Sequence, residues 1–160
     1  SDLPMRPIGD PRVDDYLMEH VLPVATTIQN KHNFMMERDL TKAVRAEMSF
    51  NRVVDGVEQH FSYSVWLGST YGILTSDFGH LLYKTPFSDG SLPDFAVVWS
   101  YNIKSDNWKY SLRGGETTAD EAVDVSQICT DFGGGGHKAA AGFELPDGSG
   151  QPRNLFILSE

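Results

Sequence analysis

Ten residues, Gly133 to Gly142, constrain this chain more than any others: they read GGGGHKAAAG. Four consecutive glycines lose much backbone entropy on ordering, so a fold keeps them only where a side chain would fail. Positive φ angles and close approach of backbone to a ligand are the two usual reasons. Successive exposed N–H groups form a concave anion site, and His137 and Lys138 follow directly with side-chain donors. That combination suits a phosphate. Taken alone, a glycine run is more often a flexible loop, and a lone histidine is more often structural than a ligand. The standard nucleotide motifs do not match. In a P-loop, Lys follows glycine directly and precedes Ser or Thr; here His137 intervenes before Lys138, and Ala139 takes the hydroxyl position. The dinucleotide pattern needs its third glycine where Lys138 stands. Gly135 is expected at positive φ, where valine would damage the loop.

Charge narrows the class of ligand. Among 160 residues, 13 Lys and Arg face 22 Asp and Glu, a formal net charge of −9. A long nucleic acid is gripped by many basic residues that displace counterions, and the scattered ones here leave a field that repels a polyanion. A small phosphorylated ligand or a short oligonucleotide, held by a few local donors, fits better. No apolar run approaches the ~20 residues of a membrane span, and no basic-then-apolar start marks a signal peptide. Cys129 is the one cysteine, so neither an internal disulfide nor a thiolate metal cluster is open to the chain. A cytoplasmic protein is the simplest expectation.

The pattern predicts an α/β fold, with a mixed β-sheet flanked by helices behind an N-terminal helical segment. Residues 1–34 are expected to be a lead-in or linker and residues 35–160 the domain proper. Pro4, Pro7 and Gly9 mark a loose start; Asp10-Pro11 is a helix start, and Pro23 should kink or break that helix. A second helix is expected over Phe34–Ser49, with Met36, Leu40, Ala43, Val44 and Met48 on one face. Strands are expected at Phe61–Leu67, Phe95–Ile103 and Trp108–Leu112, the last two forming a hairpin around Lys104-Ser105-Asp106-Asn107. A helix over Ile73–Lys84, capped by Thr75 or Ser76, would complete a βαβ unit. The polar loop Gly114–Asp120 leads to a short helix, Val125–Phe132, with Asp124 or Ser126 at its cap. Gly142–Leu145 and Leu155–Leu158 read as short edge strands around the turn Pro146-Asp147-Gly148.

The stretch GGGGHKAAAGF, Gly133 to Phe143, resembles the signature of the DHH-associated domain, the C-terminal domain of DHH-family phosphoesterases. Ser111-Leu112-Arg113 resembles that family's serine-x-arginine segment at a strand end. Val123–Ile128 resembles the short helix leading into the glycines, and Leu74–Leu82, containing Ser76-Asp77-Phe78-Gly79, the helix after the first strand. The similarity runs in the same order from about Met35 to Leu145.

The resemblance implies a substrate-binding role and no catalytic residue in this chain. His137 and the backbone of Gly134, Gly135 and Gly136 would contact a phosphate. Arg113 would clamp that phosphate or stack on a base; Ser111 and Lys138 are further candidates. In such proteins a separate DHH catalytic domain holds paired divalent metals, usually manganese, which activate water for attack on phosphorus. This chain contains no Asp-His-His triplet and no Asp-x-Asp motif, so by itself it is expected to be inactive and free of metal. Asp77 and His80, three residues apart on a helix, are expected to form a solvated polar face and not a metal site. The substrate classes implied are short oligonucleotides, cyclic dinucleotides, adenosine bisphosphate and exopolyphosphatase-type polyphosphate. A freestanding nucleic-acid-binding or regulatory module without activity is the alternative. The N-terminal helix would be a linker to the catalytic domain or a homodimer contact. Trp66, Trp99 and Trp108 are expected to serve as strand packing, and Cys129 as a small core residue.

Overall fold

The computed structural model describes residues 11–115 and 121–159, without the side chains of Val13 and Leu17. The expectations for Pro4, Pro7, Gly9, Asp10 and most of the Gly114–Asp120 loop fall outside those residues. The chain divides into two compact units between Glu37 and Arg38.

The first unit is helical. Helix α1 (Pro11–Tyr16) passes through a π-helical turn, Leu17–Val21, into α2 (Leu22–Leu40). Pro23 does not end the helix. It stands just after the π turn, and that turn is where the helix absorbs the N–H that proline lacks. Thr27 Oγ1 donates back to the Pro23 carbonyl at 2.9 Å. No helix among the described residues is long and apolar enough to cross a membrane.

The second unit is a seven-stranded mixed sheet. Its strands are β1 (Val44–Val54), β2 (Val57–Gly68), β3 (Phe95–Asn102), β4 (Asn107–Arg113), β5 (Gly135–His137), β6 (Ala140–Pro146) and β7 (Phe156–Leu158). They lie in the order β5-β6-β4-β3-β2-β1-β7. Between β2 and β3, which pair in parallel, comes α3 (Thr75–Lys84), so the expected βαβ unit is present. Helices α4 (Val125–Asp131) and α5 (Pro152–Leu155) complete the unit.

Three expectations are corrected. The helix expected over Phe34–Ser49 is instead the end of α2 followed by β1. Ala46 and Met48 are buried and Glu47 exposed, the alternation of a strand with one buried face. That strand is fixed by an unforeseen hairpin: Asp55 and Gly56 adopt φ of 51° and 79°, the left-handed pair that a two-residue turn requires. Neither Thr75 nor Ser76 caps α3 through its side chain; Leu74 holds the cap position, and Thr75 Oγ1 donates back to the Gly72 carbonyl at 2.8 Å. Finally, β6 is no edge strand, because β5 pairs outside it. The β3–β4 hairpin is as expected, with Asn102 opposite Asn107 and Asp106 at φ 57°.

Paired residues share a face of a sheet, so the register sorts the side chains. One face presents Val65, Leu67, Phe95, Val97, Tyr110, Leu112, Ala141 and Phe143, all buried. Val125, Ile128 and Cys129 of α4 close the core over it. Tyr110 anchors its far end, donating to the Gly150 carbonyl at 2.5 Å. The other face carries Arg113, Ser111, Lys109, Ala96 and Val98, partly covered by α3. That helix sits close because Gly79 has no side chain: a Cβ there would lie 2.6 Å from Arg113 Cγ.

Candidate functional site

The glycine run is folded, not loose, and its four members do different work. Helix α4 begins with Asp124 as N-cap, whose carboxylate accepts from the Ser126 amide at 3.0 Å. It ends at Phe132, after which Gly133 takes φ 86°. The Gly133 amide donates to Thr130 and the Gly134 amide to Cys129, at 3.0 and 2.8 Å. This pair of bonds is the Schellman closure of a helix C-terminus. Both amides are therefore used within the fold, and no open nest of N–H groups runs through Gly133 and Gly134. A Cβ on Gly134 would stand 2.1 Å from the Gly142 carbonyl oxygen. Gly136 lies at φ 147°, and a Cβ there would meet Ala141 Cα at 2.6 Å.

Gly135 differs from its neighbours. Its φ is not positive, and an added Cβ would meet nothing within 4 Å. The expectation that valine is excluded there by positive φ is therefore wrong; Gly133 and Gly136 hold that conformation. The fold accounts for three of the four glycines and leaves Gly135 open to another use.

Strands β5 and β6 form a hairpin whose tip, Lys138-Ala139, is tied down. The Gly114 amide donates to Ala139 and the Val125 amide to Lys138, at 2.9 and 3.0 Å. Register then aligns the site. Arg113 on β4 is opposite Ala140 on β6, and Ala140 is opposite His137 on β5. The next row is Ser111, Gly142 and Gly135. Strands lie about 4.8 Å apart, so the Arg113 and His137 backbones stand about 10 Å apart with only a methyl between them. The second row carries one hydroxyl and no other side chain. The result is a bare shelf of backbone bounded by a guanidinium and an exposed imidazole.

Arg113 is half-buried, and that burial lowers its pKa from the ordinary arginine value without discharging so basic a group. Nη2 donates to Ser76 Oγ at 3.1 Å and Nη1 to the Leu112 carbonyl at 3.0 Å, which engages two of its five N–H donors. Two clefts meet at this side chain. One, of about 710 Å³, is lined by Ser76, Asp77, His80, Lys84 and Gly115 among others. The other, of about 300 Å³, includes Thr75, Ser100, Lys109 and Ser111. His80, Lys84 and Lys109 thus join Arg113 as cationic or protonatable groups that the linear motif did not indicate. Helical spacing from Ser76 marks His80 and Lys84, and strand alternation with Ser111 and Arg113 marks Lys109. Asp77 is the acidic member of the larger cleft. Among the described residues no three His, Cys, Asp or Glu side chains come together in a group that could hold a metal ion.

No family model matches the chain. A curated protein, the uncharacterized protein R106 of Acanthamoeba polyphaga mimivirus, is 46% identical over 68 residues, which are 42% of this chain and 14% of that protein. Among solved structures, the pGpG-specific phosphodiesterase PggH from Vibrio cholerae aligns with 86% of this chain and 41% of its own, at a TM-score of 0.48 and 11% identity. The chain thus spans a small part of the one and under half of the other. Neither likeness assigns it an activity.

Proposed function

We propose that this chain is the substrate-binding domain of a DHH-family phosphoesterase, holding a phosphate of a nucleotide or polyphosphate substrate between Arg113 and His137. The observation that carries the reading is the shared cross-strand row of Arg113, Ala140 and His137 beside the side-chain-free pair Gly135 and Gly142. Arg113 offers a planar fork suited to two phosphate oxygens, and Ser76 keeps it from swinging away. His137 supplies a second donor from the opposite edge. Gly135 lets the substrate lie against backbone, and alternate N–H groups of an edge strand point outward to meet it. Ser111 and Lys138 flank the shelf, while His80 and Lys84 add positive charge along α3.

In this reading the chain binds and orients, and bond breaking belongs to a DHH domain outside it. Divalent metal held there, manganese in the proteins it resembles, would supply the activated water. The chain's own contribution is to fix the phosphate and offset its charge.

The test is a calorimetric titration of the chain with a linear dinucleotide, a cyclic dinucleotide, adenosine bisphosphate and short polyphosphate. Hydrogen bonds to charged groups contribute about 1.5–3 kcal/mol. Arg113→Ala should therefore weaken the binding ligand by roughly 10- to 100-fold, and His137→Ala by less, with circular dichroism unchanged. Equal affinity in both variants and the parent would overturn the assignment.

A further inference from the structure

We infer that the opposite face of the sheet carries a second binding site, for a planar aromatic group bearing an anion. It does not rest on the phosphate reading above. Trp108 and Arg113 are five residues apart on β4, so they point to opposite faces and lie about 17 Å apart along the strand.

The site is a cleft of about 530 Å³ where β3 ends and β4 begins. That volume falls within the range of small-molecule pockets, which are mostly apolar with a few converging polar groups. Leu67, Trp99 and Trp108 line it from the sheet, and Val44, Pro152 and Leu158 from the sides. The two indoles stand 5.6 Å apart between ring centroids, tilted by 53°, a geometry that leaves aromatic surface for a further ring. Trp108 is held from its polar edge, with Nε1 donating to Asp147 at 2.8 Å, and is flanked by Tyr101 at 4.8 Å. The site is therefore braced before any ligand arrives.

Two cations give the cleft its charge preference. Lys42 and Arg153 both line it, and neither appears in the ion pairs of the described residues, which join His20 to Glu19, Arg38 to Asp39, Arg45 to Asp89 and Arg52 to Asp131. In a chain with 22 acidic and 13 basic residues, two such groups at one apolar cleft favour an anionic occupant. The nearby carboxylate of Asp147 already accepts from Trp108 and from the Gln151 amide. An aromatic carboxylate or a nucleoside monophosphate has the required chemistry: a ring for the indoles and an anion for the rim.

The probe is 1-anilinonaphthalene-8-sulfonate, a planar aromatic anion, titrated into the native chain while energy transfer from tryptophan is followed. Saturable binding of one dye per chain is expected. The double variant Lys42→Glu/Arg153→Glu changes only exposed side chains; it should keep its near-ultraviolet circular dichroism and bind the dye about tenfold more weakly. N-phenyl-1-naphthylamine, the uncharged analogue, should bind the native chain about tenfold more weakly than the dye and lose no further affinity in the double variant. Displacement of the dye by adenosine monophosphate would assign the phosphate-bearing source, and by indole-3-acetate the carboxylate source. Equal dye affinity in the charge-reversed variant, non-saturating uptake, or no displacement by either competitor would overturn the proposal. Arg113→Ala should leave dye binding unchanged, which keeps this outcome separate from failure of the phosphate site.

Discussion

The two faces of the sheet are built from the same strands but are ruled by different physics. Along β4, Tyr110 and Leu112 point into a core where both are fully buried, while Ser111 and Arg113 point to the half-covered face under α3. The core face is filled beneath α4: Tyr110 stacks on Phe143 at 5.1 Å, and Phe143 on Phe132 at 4.8 Å. The other face is emptied at one end, where Gly135, Ala140 and Gly142 stand in place of larger residues. Close packing secures the fold on both sides, since Phe78, Leu82, Ala96 and Val98 are buried beneath α3; only at the β5–β6 end of the α3 face do missing side chains and a tethered guanidinium leave room for a ligand. Stability and phosphate binding should therefore separate between the packed part of the sheet and this open end.

The sharpest break of that comparison is Phe95→Ala. Phe95 is fully buried on the central strand β3 and packs on Tyr63 at 5.4 Å. Truncation should cost about 3–5 kcal/mol, read from the urea midpoint, whereas Lys109→Ala on the opposite face should stay within about 0.5 kcal/mol. Similar losses would mean that the exposed part of the α3 face also holds the fold.

A smaller effect separates neighbours within the glycine run. Gly136→Ala meets both a positive φ and a backbone atom 2.6 Å away, and should cost about 2 kcal/mol or more. Gly135→Ala should alter stability by no more than about 0.5 kcal/mol yet weaken the ligand that lies on the shelf. If Gly135→Ala unfolds the chain, the shelf is structural.

Next comes the cap that sets α4 on the core face. Asp124→Ala should cost about 1 kcal/mol. The hydrogen bond from the Ser126 side chain lowers the Asp124 pKa. The folded state thus favours the carboxylate, and this stabilisation is present above the ordinary pKa of about 4 and lost as pH falls. The alanine variant should show a shallower acid decline in urea midpoint.

The smallest effect at neutral pH concerns Cys129. Burial pushes its thiol from 9.0 up to about 12, so the unfolded chain ionises first and stability falls as pH rises through that window. Cys129→Ala should remove this part of the alkaline slope. The native thiol should also resist alkylation until the chain unfolds.

Much of this was legible in the chain itself. Apolar runs with turn residues between them marked β2, β3 and β4, and the 3.6 spacing of Phe78 and Leu82 marked α3. Asp124 before Val125 marked the start of α4. The error over Phe34–Ser49 arose because Met36, Leu40, Ala43 and Met48 satisfy helical spacing as well as Ala46 and Met48 satisfy strand alternation. Pairing of β1 with β2 through the Asp55-Gly56 turn decides between them, although that turn pair was itself a readable hairpin signal.

The sequence alone supplied the residues proposed to meet a phosphate: the glycines and His137 by type and spacing, and Arg113 by the resemblance of its segment. Only the tertiary structure decided what each glycine does, because steric need is set by atoms such as the Gly142 carbonyl that lie across a strand. Only the fold, too, brought His80, Lys84 and Lys109 to Arg113, and Lys42 and Arg153 to the two indoles. Those groupings depend on strand register and helix docking, which are long-range pairings that no local spacing encodes.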